Sequence, residues 1–131
     1  MDKITIASRI LTNGTQSIEV KIYQPFHNGS EWSCEFEIFS EGSSIISNHA
    51  YAEDSVQALL LCNTAIKRKL EQELAGYYWI DEELGTGFPE YMPEEVGIDF
   101  INEIRNLIEE KLKERNEEFE RLRRESKGSS D

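Results

Sequence analysis

Cations, cysteine, histidine and long apolar runs are all scarce in this sequence, and each shortage argues against a class of function. Only 14 Lys and Arg stand against 26 Asp and Glu, a net charge of -12. Nucleic-acid binding needs clustered cations against phosphate, so this balance speaks against it and equally against an anionic membrane surface. Cys34 and Cys62 are the two cysteines. They make neither a disulfide framework nor a metal knuckle, and both fall at apolar positions, where a free thiol behaves as a small buried hydrophobe. His27 and His49 have no His or Cys beside them at ligand spacing. No apolar stretch approaches the roughly 20 residues that span a bilayer. The opening MDKITIASRIL lacks the apolar centre of a signal peptide, so the cytoplasm is the expected compartment.

Catalytic signatures are missing as well. There is no glycine-rich phosphate loop and no nucleophile elbow, and Gly85-Thr86-Gly87 has no βαβ surroundings. Asp81, Glu82 and Glu83 lack the alternating oxygen ligands and central glycine of a calcium loop. The expectation is a protein with no enzymatic activity, no cofactor and no metal.

What the chain does have is alternation. Trp32, Cys34, Phe36 and Ile38 share one face of a strand, with Ser33, Glu35 and Glu37 on the other. Ile18, Val20 and Ile22 make a second apolar face, and Ile4, Ile6, Ser8 and Ile10 a third, with Lys3, Thr5, Ala7 and Arg9 opposite. Asn13-Gly14 and Asn28-Gly29 favour tight turns because both residue types reach positive φ at little cost, and Pro25 ends a ladder because it has no N–H. Glu41-Gly42-Ser43-Ser44 marks a third turn, before a weaker strand in which Ile45 and Ile46 face opposite sides.

A helix follows, capped by Asp54 or Ser55. Val56, Leu59, Leu60, Ala65, Ile66, Leu70 and Leu74 form its apolar stripe, and Gly76 stops it. The predicted fold is α+β: a four-stranded antiparallel meander packed on one long amphipathic helix. The strands fall at about 3–12, 17–24, 31–40 and 44–51, and the helix at about 54–75. An irregular acidic loop takes 76–98, and a second, C-terminal helix starts near 99. Residues 1–112 read as one domain, 113–126 as a charged helical extension and 127–131 as a disordered tail. In the second helix Ile101, Ile104, Ile108 and Leu112 form a stripe, but the spacing does not sustain a heptad repeat.

The strand Trp32-Ser33-Cys34-Glu35-Phe36-Glu37-Ile38 and the helix start Asp54-Ser55-Val56-Gln57-Ala58-Leu59 together resemble a family of small bacterial domains of unknown function. In that family a W-x-C-x-aromatic-x-I strand precedes a D-x-x-Q-A-L helix start. The resemblance spans about residues 3–75 and implies no activity.

The loop concentrates both aromatic and acidic side chains, and no Lys or Arg occurs between Lys69 and Arg105. One reading has its aromatics cover an open end of the core. The other makes Trp79, Asp81, Glu82, Glu83, Phe88, Glu90 and Tyr91 the contact surface of a non-catalytic protein-interaction module. Its partner would be a basic protein, and the module would be similar in general character to immunity proteins. The alternatives are a homodimer joined through the C-terminal helix or a sheet edge, and a small-molecule binder with a pocket of Tyr77, Tyr78 and His49.

Overall fold

The structure, a computed structural model, describes residues 3–90 and 97–128. A five-stranded antiparallel sheet is built from β1 (Thr5–Thr12), β2 (Ser17–Tyr23), β3 (Phe26–His27), β4 (Trp32–Ser40) and β5 (Ser43–Ala52). Helix α1 (Ser55–Glu73) follows, and helix α2 (Ile98–Gly128) ends the described chain. The chain divides into two compact units, Met1–Tyr91 and Met92–Asp131; the first contains the sheet and α1, the second α2. The segment Pro93-Glu94-Glu95 and the tail beyond Gly128 lie outside the described residues.

The strand β4 is the axis of the sheet. On one side it pairs with β2, from Ile18↔Ser40 to Ile22↔Phe36, and then with β3, where Phe26 meets Ser33 and His27 meets Trp32. On the other side it pairs with β5 along its whole length. The four-strand expectation is therefore one short: pairing resumes for two residues beyond Pro25. Proline withdraws one donor and interrupts the ladder, but it does not prevent the chain from rejoining the same neighbour. The two Asn-Gly turns are built alike. Asn13 Oδ1 accepts from the N–H groups of Thr15 and Gln16 at 3.0 and 2.7 Å, and Asn28 Oδ1 accepts from Ser30 and Glu31 at 3.0 and 2.9 Å.

The inner face carries Ile18, Val20, Ile22, Cys34, Phe36 and Ile38, all buried. The first strand turns the opposite way from the expected one. Leu11 is fully buried opposite Ile18, while Ile10 is 64% exposed opposite Glu19. Pairing decides this. Once Ile18 and Val20 face inward, their partners Leu11 and Arg9 must too. An irregularity between Thr5 and Ala7 then leaves Ile6 outside the regular alternation, 46% exposed.

Helix α1 packs on β4 and β5. Asp54 caps it: Oδ1 accepts from the Gln57 N–H at 2.7 Å, and Gln57 Oε1 accepts from the Glu53 N–H at 2.9 Å. This reciprocal arrangement satisfies donors that a helix start leaves open. Its buried stripe is Ala58, Cys62, Ile66 and Leu70, rotated from the expected one, so that Val56 is 66% exposed. The small side chains Ala58 and Cys62 are fully buried on that stripe. Both thiols are free and fully buried. The Cys34 thiol donates to the Tyr23 carbonyl at 3.5 Å, and contact with Cys34 together with burial pushes the Cys62 thiol far up, keeping it protonated.

On the outer face Tyr23 is nearly buried, its hydroxyl donating to Glu37 at 2.8 Å. Lys3 pairs with Glu35 at 2.8 Å and Glu37 at 3.7 Å. Burial first, then the hydrogen bond to Glu37, pushes the Tyr23 hydroxyl up to about 12. An unfolded chain releases that proton near pH 10, the folded one only near pH 12. The contribution is thus complete below about pH 10 and lost as pH rises from there toward 12. Tyr23→Phe removes it. The urea midpoint of the native protein should fall more steeply than that of the variant between about pH 9 and pH 11.5; parallel profiles would contradict the assignment.

Candidate functional site

The segment after α1 returns over the sheet as a strap, residues 77–90. Gly76, at φ 97, turns the chain out of the helix. Tyr78 then pairs with Thr12 through two backbone hydrogen bonds of 3.0 and 2.9 Å at the free edge of β1. That pairing delivers Trp79 to the inner side of β1, beside Arg9. The Arg9 guanidinium lies 3.9 Å from the Trp79 ring centre and 4.8 Å from that of Phe88, a cation held between two π faces. Its Nη1 also donates to the Thr86 carbonyl at 3.4 Å. Phe88 is only 8% exposed and belongs to the core cluster, and Trp79 packs against that cluster.

The chain between these two aromatics turns outward. The Trp79 N–H donates to the Gly85 carbonyl at 2.7 Å and closes the base of a loop. Within it, the Asp81 N–H donates back to Trp79 at 2.7 Å across Ile80, whose φ is 64. A three-residue turn with positive φ at a β-branched centre is rare and strained. Glu82–Leu84 is a single 3-10 turn capped by Asp81, whose Oδ1 accepts from the Leu84 N–H at 3.1 Å. Asp81, Glu82 and Glu83 are therefore grouped on one exposed turn, flanked by Ile80 and Leu84, which are 70% and 51% exposed. Leu84 borders a groove of about 520 Å³ that it shares with Leu70, Leu74, Tyr77 and Phe88, with Lys67 at its rim.

The seven residues named from sequence thus separate. Asp81, Glu82 and Glu83 come together in solvent, while Trp79 and Phe88 occupy the other side of the same strap and cover the open end of the core. Glu90 is exposed and pairs with Lys67 at 3.6 Å. Tyr91 lies outside the described residues. Ile80 and Leu84 were not singled out from sequence, although an apolar residue on each side of a three-carboxylate run is a visible pattern. Arg9 is absent from the expected site because alternation alone puts it on the outer face of the first strand; the pairing of Leu11 with Ile18 across the Asn13-Gly14 turn brings it inward. The pocket of Tyr77, Tyr78 and His49 is not assembled. Tyr78 lies at β1, whereas His49 is on β5, at the far edge of the sheet and opposite Glu35 on its outer face. Among the described residues no group of three or more His, Cys, Asp or Glu is placed to hold a metal ion.

Fold and site together define a small α+β domain whose core is closed by a strap that carries an acidic turn. The chain belongs to the family described as Domain of unknown function (DUF6968), whose sequence model matches residues 7–90. The family therefore extends beyond the limit near residue 75 set by the sequence resemblance and takes in the strap as far as Glu90. No curated protein and no solved structure matches the chain.

Gly87 tests the closure. At φ 73, a Cβ built there would meet Trp79 Cε3 at 2.5 Å and Arg9 Nη1 at 2.9 Å. Gly42, at φ 80 in the β4–β5 turn, has nothing within 4 Å of that position. Gly87→Ala should cost on the order of 2–3 kcal/mol in urea unfolding, against about 1 kcal/mol for Gly42→Ala, which meets backbone strain alone. Equal costs would mean that the stack does not hold the strap.

Proposed function

We propose that this domain is a non-catalytic, cytoplasmic interaction module whose turn 80–84 binds a basic partner protein, in general character like an immunity protein. One observation carries the reading: three carboxylates and two exposed apolar side chains project together from a turn tied down at its base. Charge of that density draws and orients a cationic surface, while Ile80 and Leu84 supply the apolar contact that charge alone lacks. The groove beside Leu84 offers room for a partner's side chain. The turn is already closed by the Trp79–Gly85 hydrogen bond, so little ordering entropy is lost on association. A strained residue kept exposed at φ 64 is what a turn shaped for contact would retain. Two free, buried thiols agree with a reducing compartment.

The test compares capture from host lysate by the native chain and by Glu82→Lys/Glu83→Lys. A basic protein retained at one-to-one stoichiometry by the first and lost by the second, with matching urea midpoints, is the expected result. Retention of the same protein by both would end the reading. Ile80→Asn adds a check that unfolding cannot mimic. Asn tolerates positive φ, so the midpoint should hold or rise while binding of the captured partner weakens.

A further inference from the structure

We propose that α2 is a self-association element, two copies lying side by side and antiparallel along its apolar row. The inference rests on α2 alone and is independent of the acidic turn. Ile101, Ile104, Ile108, Leu112, Phe119 and Leu122 recur at spacings of three or four residues, with one gap of seven between Leu112 and Phe119. Arg115 stands in that gap, where its long stem can cover apolar surface while the charge stays wet. The row spans 22 residues, from Ile101 to Leu122, about 32 Å of helix. Ile108 and Leu112 are each 54% exposed and Phe119 is 61% exposed. A helix gains most of its stability in water from burying such a face.

Charge names the occupant and its direction. From Ile98 to Glu110 the helix carries Asp99, Glu103, Glu109 and Glu110 against Arg105, a net of -3. From Lys111 to Lys127 it carries seven cations (Lys111, Lys113, Arg115, Arg121, Arg123, Arg124 and Lys127) against five glutamates, a net of +2. The sign changes near Leu112, at the midpoint of the apolar row. A second copy laid antiparallel, with Ile101 level with Leu122, therefore sets each net-acidic half along a net-basic half while the two rows meet. A parallel copy would set acid along acid and base along base. Reversal of net charge about the centre of one apolar row makes the helix complementary, in net charge, to its own reverse, as a two-fold dimer requires. Few acidic or basic partners would match both halves.

Sedimentation equilibrium of the full chain at micromolar concentration should give twice the chain mass. Ile108→Glu/Leu112→Glu should return it to the single mass without moving the urea midpoint of the sheet domain, because both substitutions are at exposed positions. A native chain of single mass, or a dimer indifferent to these changes, would overturn the proposal. Direction is read separately by pulsed dipolar spectroscopy on the full-length Asn102→Cys variant, spin-labelled at the one accessible thiol. Antiparallel helices place the two labels about 30 Å apart, since equivalent positions are about 19 residues out of level. Parallel helices bring them to little more than the interaxial spacing of about 10 Å, and that result would refute the orientation.

Discussion

The Arg9 stack is the contact on which the domain's arrangement turns. Its guanidinium comes from the inner side of the first strand, where a charge would ordinarily be costly, and is accommodated only because Trp79 and Phe88 face it. Such a contact contributes about 2 kcal/mol or more when desolvated, but its larger effect is geometric. With both aromatic rings held inward, the five residues between Trp79 and Gly85 have no room to do anything but project outward. Gly87 is where the backbone must pass so close to Trp79 that no side chain fits. The exposed carboxylates thus owe their grouping to a contact on the opposite side of the strap.

How much of this was legible in the sequence varies element by element, for physical reasons. The alternation of β4 and the Asp54 cap could be read directly, because each depends on neighbours a few residues away. The first strand could not be read alone. A period of two says that one set of residues faces in, not which, and the isoleucine-rich set Ile4, Ile6 and Ile10 is the exposed one. What overrides its hydrophobicity is the partner strand, with Leu11 placed against Ile18. Pro25 shows a similar limit: it breaks a ladder locally, yet whether pairing resumes depends on β4 being there to receive Phe26. The acidic part of the candidate site was visible as charge. Its division from the aromatics was not, since it follows from an arginine some seventy residues earlier in the chain.

The strap therefore does two jobs with two sets of residues. One side closes a core that the sheet and α1 leave open, and the other presents charge and apolar contact in a fixed shape. Because the sets do not overlap, the surface side can change without disturbing the packed side. In α2, by contrast, the apolar row and the distribution of charge act together on one surface, so neither can change alone without altering what the helix matches.

The two thiols have a consequence of their own. Cys34 belongs to the central strand and Cys62 to the helix laid across it, and neither has any surface. Fraying at a strand edge or movement of the strap leaves both covered; only withdrawal of α1 from β4 uncovers them, and it uncovers both at once. An alkylating reagent added to the native protein therefore reports the separation of α1 from the sheet rather than the fraying of an edge. The molecule carries its own clock for the parting of sheet and helix, placed where the two meet.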